Sequence, residues 1–217
     1  MAELLVYTQN TFIRQAVLSL MQGHNVLFFD NRLQFLVSAT VIARPVILID
    51  TLVSEGRDVR WLYAKLVSRG LSSRINYIAP LQVAENRYLK GFSLVTNMAQ
   101  LKLLCPPQKR GGIEESALRP ERIIALHVEK LLRQSEIDFL TSFYVPQTMQ
   151  FRSRSKSEAS RLYYIRRKLF FESSSELKQL MLYLAHYDAS QDQTSEEKAE
   201  NGNPEMRWPV PRTFASA

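Results

Sequence analysis

Cysteine is nearly absent from this sequence, and with it goes a whole class of architectures. A single Cys105 among 217 residues excludes an intramolecular disulfide and a cysteine-rich zinc centre, which makes a reducing cytoplasm the expected location. The three histidines, His24, His127 and His186, lie far apart with no partner at metal-ligand spacing, so no metal site and no cofactor is expected. Cys105 stands beside two prolines with no histidine at a fixed spacing, which leaves a nucleophile without a base. Neither GxGxxG nor GxxxxGK[ST] occurs, and the expectation is a binding protein, not an enzyme. Long apolar runs are missing too. No stretch reaches the roughly 20 residues that a membrane helix needs, since VIARPVILI is interrupted by Arg44 and Pro45. The start, MAELLVYTQN, lacks the basic and then long apolar segments of a signal peptide.

What is present is hydrophobic residue in quantity and an excess of positive charge. Hydrophobic residues make up 46% of the chain, enough to build proper cores. Lys and Arg number 28 against 21 Asp and Glu, a net charge of +7, which favours a polyanionic partner. ELLVY, NVLFFD, PVILID and INYIAP are short apolar runs that read as strands, PVILID most clearly because parallel strands covered on both faces are apolar throughout. Between them, TFIRQAVLSLMQ places Phe12, Ala16, Val17 and Leu20 at helical spacing, NRLQFLVSATVIA places Leu33, Leu36 and Val37 on one side, and VRWLYAKLVSRG ends on Gly70. This alternation predicts a doubly wound parallel α/β sheet over residues 1–104. CPPQKRGGIEES falls in a linker over 105–119. A helical module is expected over 120–187 and a polar, disordered tail over 188–217.

Function in an open parallel sheet collects at the carboxyl ends of the strands. Tyr7, Thr8, Asp50, Ala79 and Pro80 stand there. VILID followed by a loop and a helix resembles the receiver domain of bacterial response regulators. That resemblance implies a phosphorylatable aspartate, here Asp50, beside an acidic pair that holds Mg²⁺. Tyr7 and Thr8 occupy the acidic positions, Ala79 or Pro80 replaces the Thr or Ser of the fourth strand, and GFSLVTN lacks the lysine of the fifth. Asp50 is therefore expected to go unused as a phosphoacceptor, and either to cap the helix after it or to stand as a remnant of ancestry. A degenerate receiver of this kind implies dimerisation or partner contact.

RSKSEASRLYYIRRKLFF, from Arg154 to Phe171, carries the densest positive charge. With LRQSEIDFL before it and SSSELKQLMLYL after it, the stretch resembles the four-helix LuxR-type helix-turn-helix. Lys168 and Leu169 align with the closing Lys-Leu of the family's recognition helix, Ile165 with its isoleucine, Arg161 with its histidine, Ser157 with its threonine and Arg154 with its first serine. Glu158 falls on the valine, and PQTMQFRSR lacks the Glu-Ile-Ala of the preceding helix. In a helix from about Lys156 to Phe170, Leu162, Ile165 and Leu169 form one inward stripe. The resemblance implies double-stranded DNA as partner, contacted by Arg154, Lys156, Ser157, Ser160, Arg161, Tyr163, Tyr164, Arg166, Arg167 and Lys168. It implies a homodimer or a heterodimer with another response regulator, in the manner of auxiliary capsule-synthesis regulators. The rival is an adaptor that engages another regulator without touching DNA.

Overall fold

The computed structural model describes residues 3–21, 24–84, 91–104, 120–144 and 155–185. The linker, the tail, Arg154, Cys105, His186 and the segment PQTMQFRSR lie outside the described residues. Five strands form one sheet in the order β2-β1-β3-β4-β5: β1 Leu4–Tyr7, β2 Val26–Phe29, β3 Val46–Asp50, β4 Ile75–Ile78 and β5 Ser93–Val95. Every pairing is parallel, with Leu5 opposite Leu27 and Ile47, and Ile49 opposite Tyr77. The order reverses at β1, the topology of receiver-like doubly wound folds. The apolar runs became strands because both faces are covered: Leu4, Leu5, Val6, Ile47, Leu48 and Ile49 are all buried.

Helices close the sheet on both sides. On one side α1 (Thr11–Leu20) and α5 (Met98–Leu104) enclose a core of Leu4, Val6, Leu48, Val17, Met21 and Leu101. Asn10 starts α1 by accepting the Phe12 amide at 2.9 Å, and Asn31 starts α2 (Arg32–Val41) through the amides of Leu33 and Gln34. Phe12 departs from the expected stripe. Val17 and Met21 are buried, Ile13 packs against that core, and Phe12 points outward with 78% of its surface exposed. Leu20 packs against the same core, so Val17 and Leu20 lie where the spacing predicts and Phe12 does not.

On the other side α2 and α3 (Gly56–Ser68) bury Phe35, Leu36, Leu62 and Leu66. Helix α3 ends as expected: Gly70 takes φ 71°, and the Leu71 amide returns to the Leu66 carbonyl at 3.0 Å. A single turn, α4 (Leu81–Ala84), follows β4.

The core of α2 and α3 continues without a break into the C-terminal helices α6 (Pro120–Leu131), α7 (Gln134–Tyr144), α8 (Lys156–Lys168) and α9 (174–185). Ile123, Ile124 and Val128 of α6 join it, as do Leu162 and Ile165 of α8 and Leu177 and Leu180 of α9. Polar contacts fix the seam. Arg69 and Glu176, 107 residues apart, form an ion pair of 2.7 Å with side chains only 4% and 3% exposed. Arg69 also donates to Thr40 Oγ1 at 2.9 Å, while Glu176 accepts the Glu172 amide at 3.1 Å. Lys65 and Ser68 hold Glu172, and His127 meets Glu3 at 3.1 Å.

Removing one partner of a buried pair strands the other charge in a low dielectric and costs roughly 3–5 kcal/mol, whereas replacing both with apolar groups is far milder. Glu176→Ala is expected to lower unfolding stability by about 3 kcal/mol, and Arg69→Met with Glu176→Leu by much less, measured by urea denaturation. A second outcome follows from Glu172. Its hydrogen bond from Lys65, then that from Ser68, lower its pKa below the ordinary 4.5. The contact therefore stabilises the fold above that value and is lost as pH falls through the lowered pKa. Glu172→Gln should flatten that part of the acid limb in a pH series of thermal melts.

Candidate nucleic-acid interface and the receiver-like pocket

Asp50 ends β3, fully buried beneath the carboxyl edge of the sheet. Both of its oxygens are occupied from within. Oδ2 accepts the Thr8 hydroxyl at 2.7 Å and Oδ1 accepts the Leu52 amide at 2.9 Å. Thr8 is itself fixed, accepting the Asn10 amide at 3.0 Å. Asp50 does not cap α3, contrary to the expectation, because that helix starts at Gly56 with Glu55 at the cap position and no side-chain cap bond. Its carboxylate pins the first turn of the β3–α3 loop instead. Thr8 thus supplies a hydroxyl donor to one oxygen of Asp50.

Tyr7 is turned elsewhere. Its hydroxyl donates to Asp58 Oδ2 at 3.2 Å, beside the Arg32–Asp58 ion pair of 2.6 Å, and its ring packs on Phe35. Burial, then the Asp58 charge, push the Tyr7 pKa up to about 12, so it is a neutral hydrogen-bond donor in neutral solution. Ala79 closes the next strand with its amide on the Val95 carbonyl at 3.1 Å. Among the described residues no group of three His, Cys, Asp or Glu is placed to hold a metal ion, and no helix is long and apolar enough to cross a membrane.

Helix α8 carries the basic stretch. Ser155 accepts the Glu158 amide at 3.1 Å and Glu158 reaches back to the Ser155 amide at 2.9 Å, a complete capping box. Glu158, the departure from the recognition-helix pattern, therefore serves the helix start. Leu162, Ile165 and Leu169 face the core as the spacing predicts. Lys156, Ser157, Ser160, Tyr163, Tyr164 and Arg167 face solvent.

Three cations are less available than the sequence suggests. Arg161 donates to the Ser135 carbonyl at 2.7 Å and lies 4.3 Å over the Phe139 ring. Lys168 pairs with Glu136 at 2.7 Å. Arg166 is half-buried, with its guanidinium over Tyr163. These contacts fasten α8 to α7 and rigidify the face at the expense of donors. No local pattern marks Phe170, which follows the helix in the left-handed region at φ 58° with 71% of its surface exposed. There the amides of Phe170 and Phe171 return to the carbonyls of Arg167 and Arg166, a turn that glycine takes without strain. Phe170→Gly is expected to raise the midpoint of thermal unfolding, by the equivalent of about 0.5–1 kcal/mol, because a non-glycine residue is strained there.

No protein-family model matches the chain, and no curated protein sequence matches it. Among solved structures, full-length FixJ from B. japonicum is similar at 14% identity over 85% of this chain and 98% of that one, with a TM-score of 0.33. The receiver-like assignment rests on the strand order and the connections between strands.

Proposed function

We propose that the chain is a DNA-binding transcription regulator of response-regulator type that works without phosphorylation. On this reading it is not an enzyme. Helices α7 to α9 belong to a LuxR-type helix-turn-helix, α8 enters the major groove, and the receiver-like module supplies dimerisation or partner contact. The observation that supports it most is the division of α8. An apolar stripe anchors the helix, while a solvent face offers Lys156, Arg167, Ser157 and Ser160 as donors for phosphates and base edges. The closed Asp50 site supports independence from phosphorylation, since both carboxylate oxygens already have partners.

The adaptor reading draws on one specific observation. Tyr163, Tyr164 and Phe170 are exposed next to Arg167, and aromatic side chains with arginine are the residues that anchor protein interfaces.

A mobility shift against genomic fragments across a salt series separates the two. Lys156→Ala and Arg167→Ala should each reduce the slope of log affinity against log salt by about one unit per protomer, with unchanged melting temperature. Binding that is insensitive to both substitutions would remove α8 as the DNA-contacting element. Incubation with acetyl phosphate and Mg²⁺ is expected to leave Asp50 unlabelled in intact-mass spectra.

A further inference from the structure

At the free edge of the sheet a recess lies between the strands and the C-terminal helices. Strand β2 pairs with β1 alone. The carbonyls of Asn25 and Phe29 accept the Leu4 and Thr8 amides, so the intervening Phe28 turns its own amide and carbonyl to the outer side of the strand. Beyond that edge is a cavity of about 300 Å³, lined by Phe28 and Phe29 of β2, Gln34 of α2, Glu121 of α6, and Gln179 and Tyr183 of α9. Tyr183 is buried and held by a hydrogen bond with Ser38, which in turn donates to the Gln34 carbonyl at 2.9 Å. The side chains of Gln34, Gln179 and Glu121 are half-buried, yet none of the three has a hydrogen-bond partner among the described residues.

We propose that this recess binds a small alkylguanidinium cation. Charge selects the sign of the ligand. The chain as a whole carries +7, but the one ionisable side chain with an ordinary charge at this cavity is the Glu121 carboxylate, and no lysine or arginine lines it among the described residues. Burial, and then the charges of Glu121 and Asp30, hold the Tyr183 hydroxyl above its ordinary pKa, so both carboxylates lie within electrostatic reach of its ring. Arg14 approaches Phe28 at 5.7 Å but is committed to the Thr8 carbonyl. Hydrogen bonding selects the head group. The open acceptors are the Glu121 carboxylate, the amide oxygens of Gln34 and Gln179 and the Phe28 carbonyl, and a guanidinium offers a planar fork of donors that pairs with a carboxylate bidentately and stacks on aromatic rings such as Phe29 and Tyr183. Size sets the last limit. A cavity of about 300 Å³ is roughly ten times the volume of a water in the liquid, which admits a ligand on the order of ten non-hydrogen atoms. Such a ligand touches β2 and α2 on one side and α6 and α9 on the other, across the seam that Arg69 and Glu176 hold.

The inference goes beyond the proposed function, and its test needs no DNA. Agmatine is the probe. Isothermal titration calorimetry on the full chain should show saturable agmatine binding with a dissociation constant of about 1 mM or tighter. Glu121→Gln keeps the shape of the side chain and removes its charge, and should raise that constant about tenfold or more, with unchanged circular dichroism and an unchanged melting temperature of the free protein. Glu129→Gln provides the control, because Glu129 is exposed about two turns further along α6 and lines a different cavity, and it should leave agmatine binding intact. Butylurea, which keeps a planar head without the charge, should bind about tenfold or more weakly than agmatine. Absence of saturable agmatine binding, butylurea binding as tight as agmatine, or a loss that Glu129→Gln produces as fully as Glu121→Gln overturns the inference.

Discussion

The Arg69–Glu176 pair fixes how the two halves of the molecule meet. Hydrophobic burial drives the C-terminal helices onto α2 and α3, but it is non-directional and would tolerate several seatings of the same apolar stripes. A buried ion pair tolerates few, because both charges have left water and each remaining lone pair or proton needs a partner. Glu176 meets Arg69, the Glu172 amide and the Ser173 hydroxyl, and Arg69 meets Thr40, leaving only its Nε without a partner among the described residues. That arrangement sets α9 against the end of α3. Phe171, buried in the same seam, follows α8 by only three residues, so the rotation of α8 about its axis is set as well. Its basic face points outward because the turn that ends it is held.

The same reasoning explains the carboxyl end of the sheet. A carboxylate that serves as a phosphoacceptor needs one oxygen free for attack and a cation to offset the charge that develops. Each oxygen of Asp50 already accepts one hydrogen bond from within the fold, from the Thr8 hydroxyl and the Leu52 amide. The segments that leave the sheet above it expose Phe12, Leu52, Val53, Leu81 and Met98.

Strands were legible because burial on both faces leaves an unbroken apolar run, and VILID can be little else. The inward stripe of α8 was legible for a similar reason, since Leu162, Ile165 and Leu169 admit one helical face. Helix α1 misled only at its first turn: Val17 and Leu20 pack as the spacing predicts, but Ile13 and not Phe12 reaches the core of Leu48 and Leu101. Glu158 was visible as part of Ser155-x-x-Glu158, a capping box in sequence, yet comparison with a recognition-helix pattern made it look like an obstacle to DNA. Arg69 and Glu176 could not be paired from sequence, because nothing local records a contact across 107 residues. Phe170 is the converse case: a left-handed position normally announces itself with glycine, and here it does not.

The ties that hold α8 also limit what it can bind alone. Arg161 and Lys168 are engaged with α7, and Arg166 is partly covered. All four of Lys156, Arg161, Arg167 and Lys168 are exposed, but Arg161 and Lys168 are tied to α7 and Arg167 donates to the Tyr163 hydroxyl at 3.4 Å. On the DNA reading, phosphate contacts by Lys156 and Arg167 would together contribute about two to the salt slope of each protomer. Two copies held at fixed spacing double the contacts and make the second engagement intramolecular, which raises the effective affinity without any new cation on the helix.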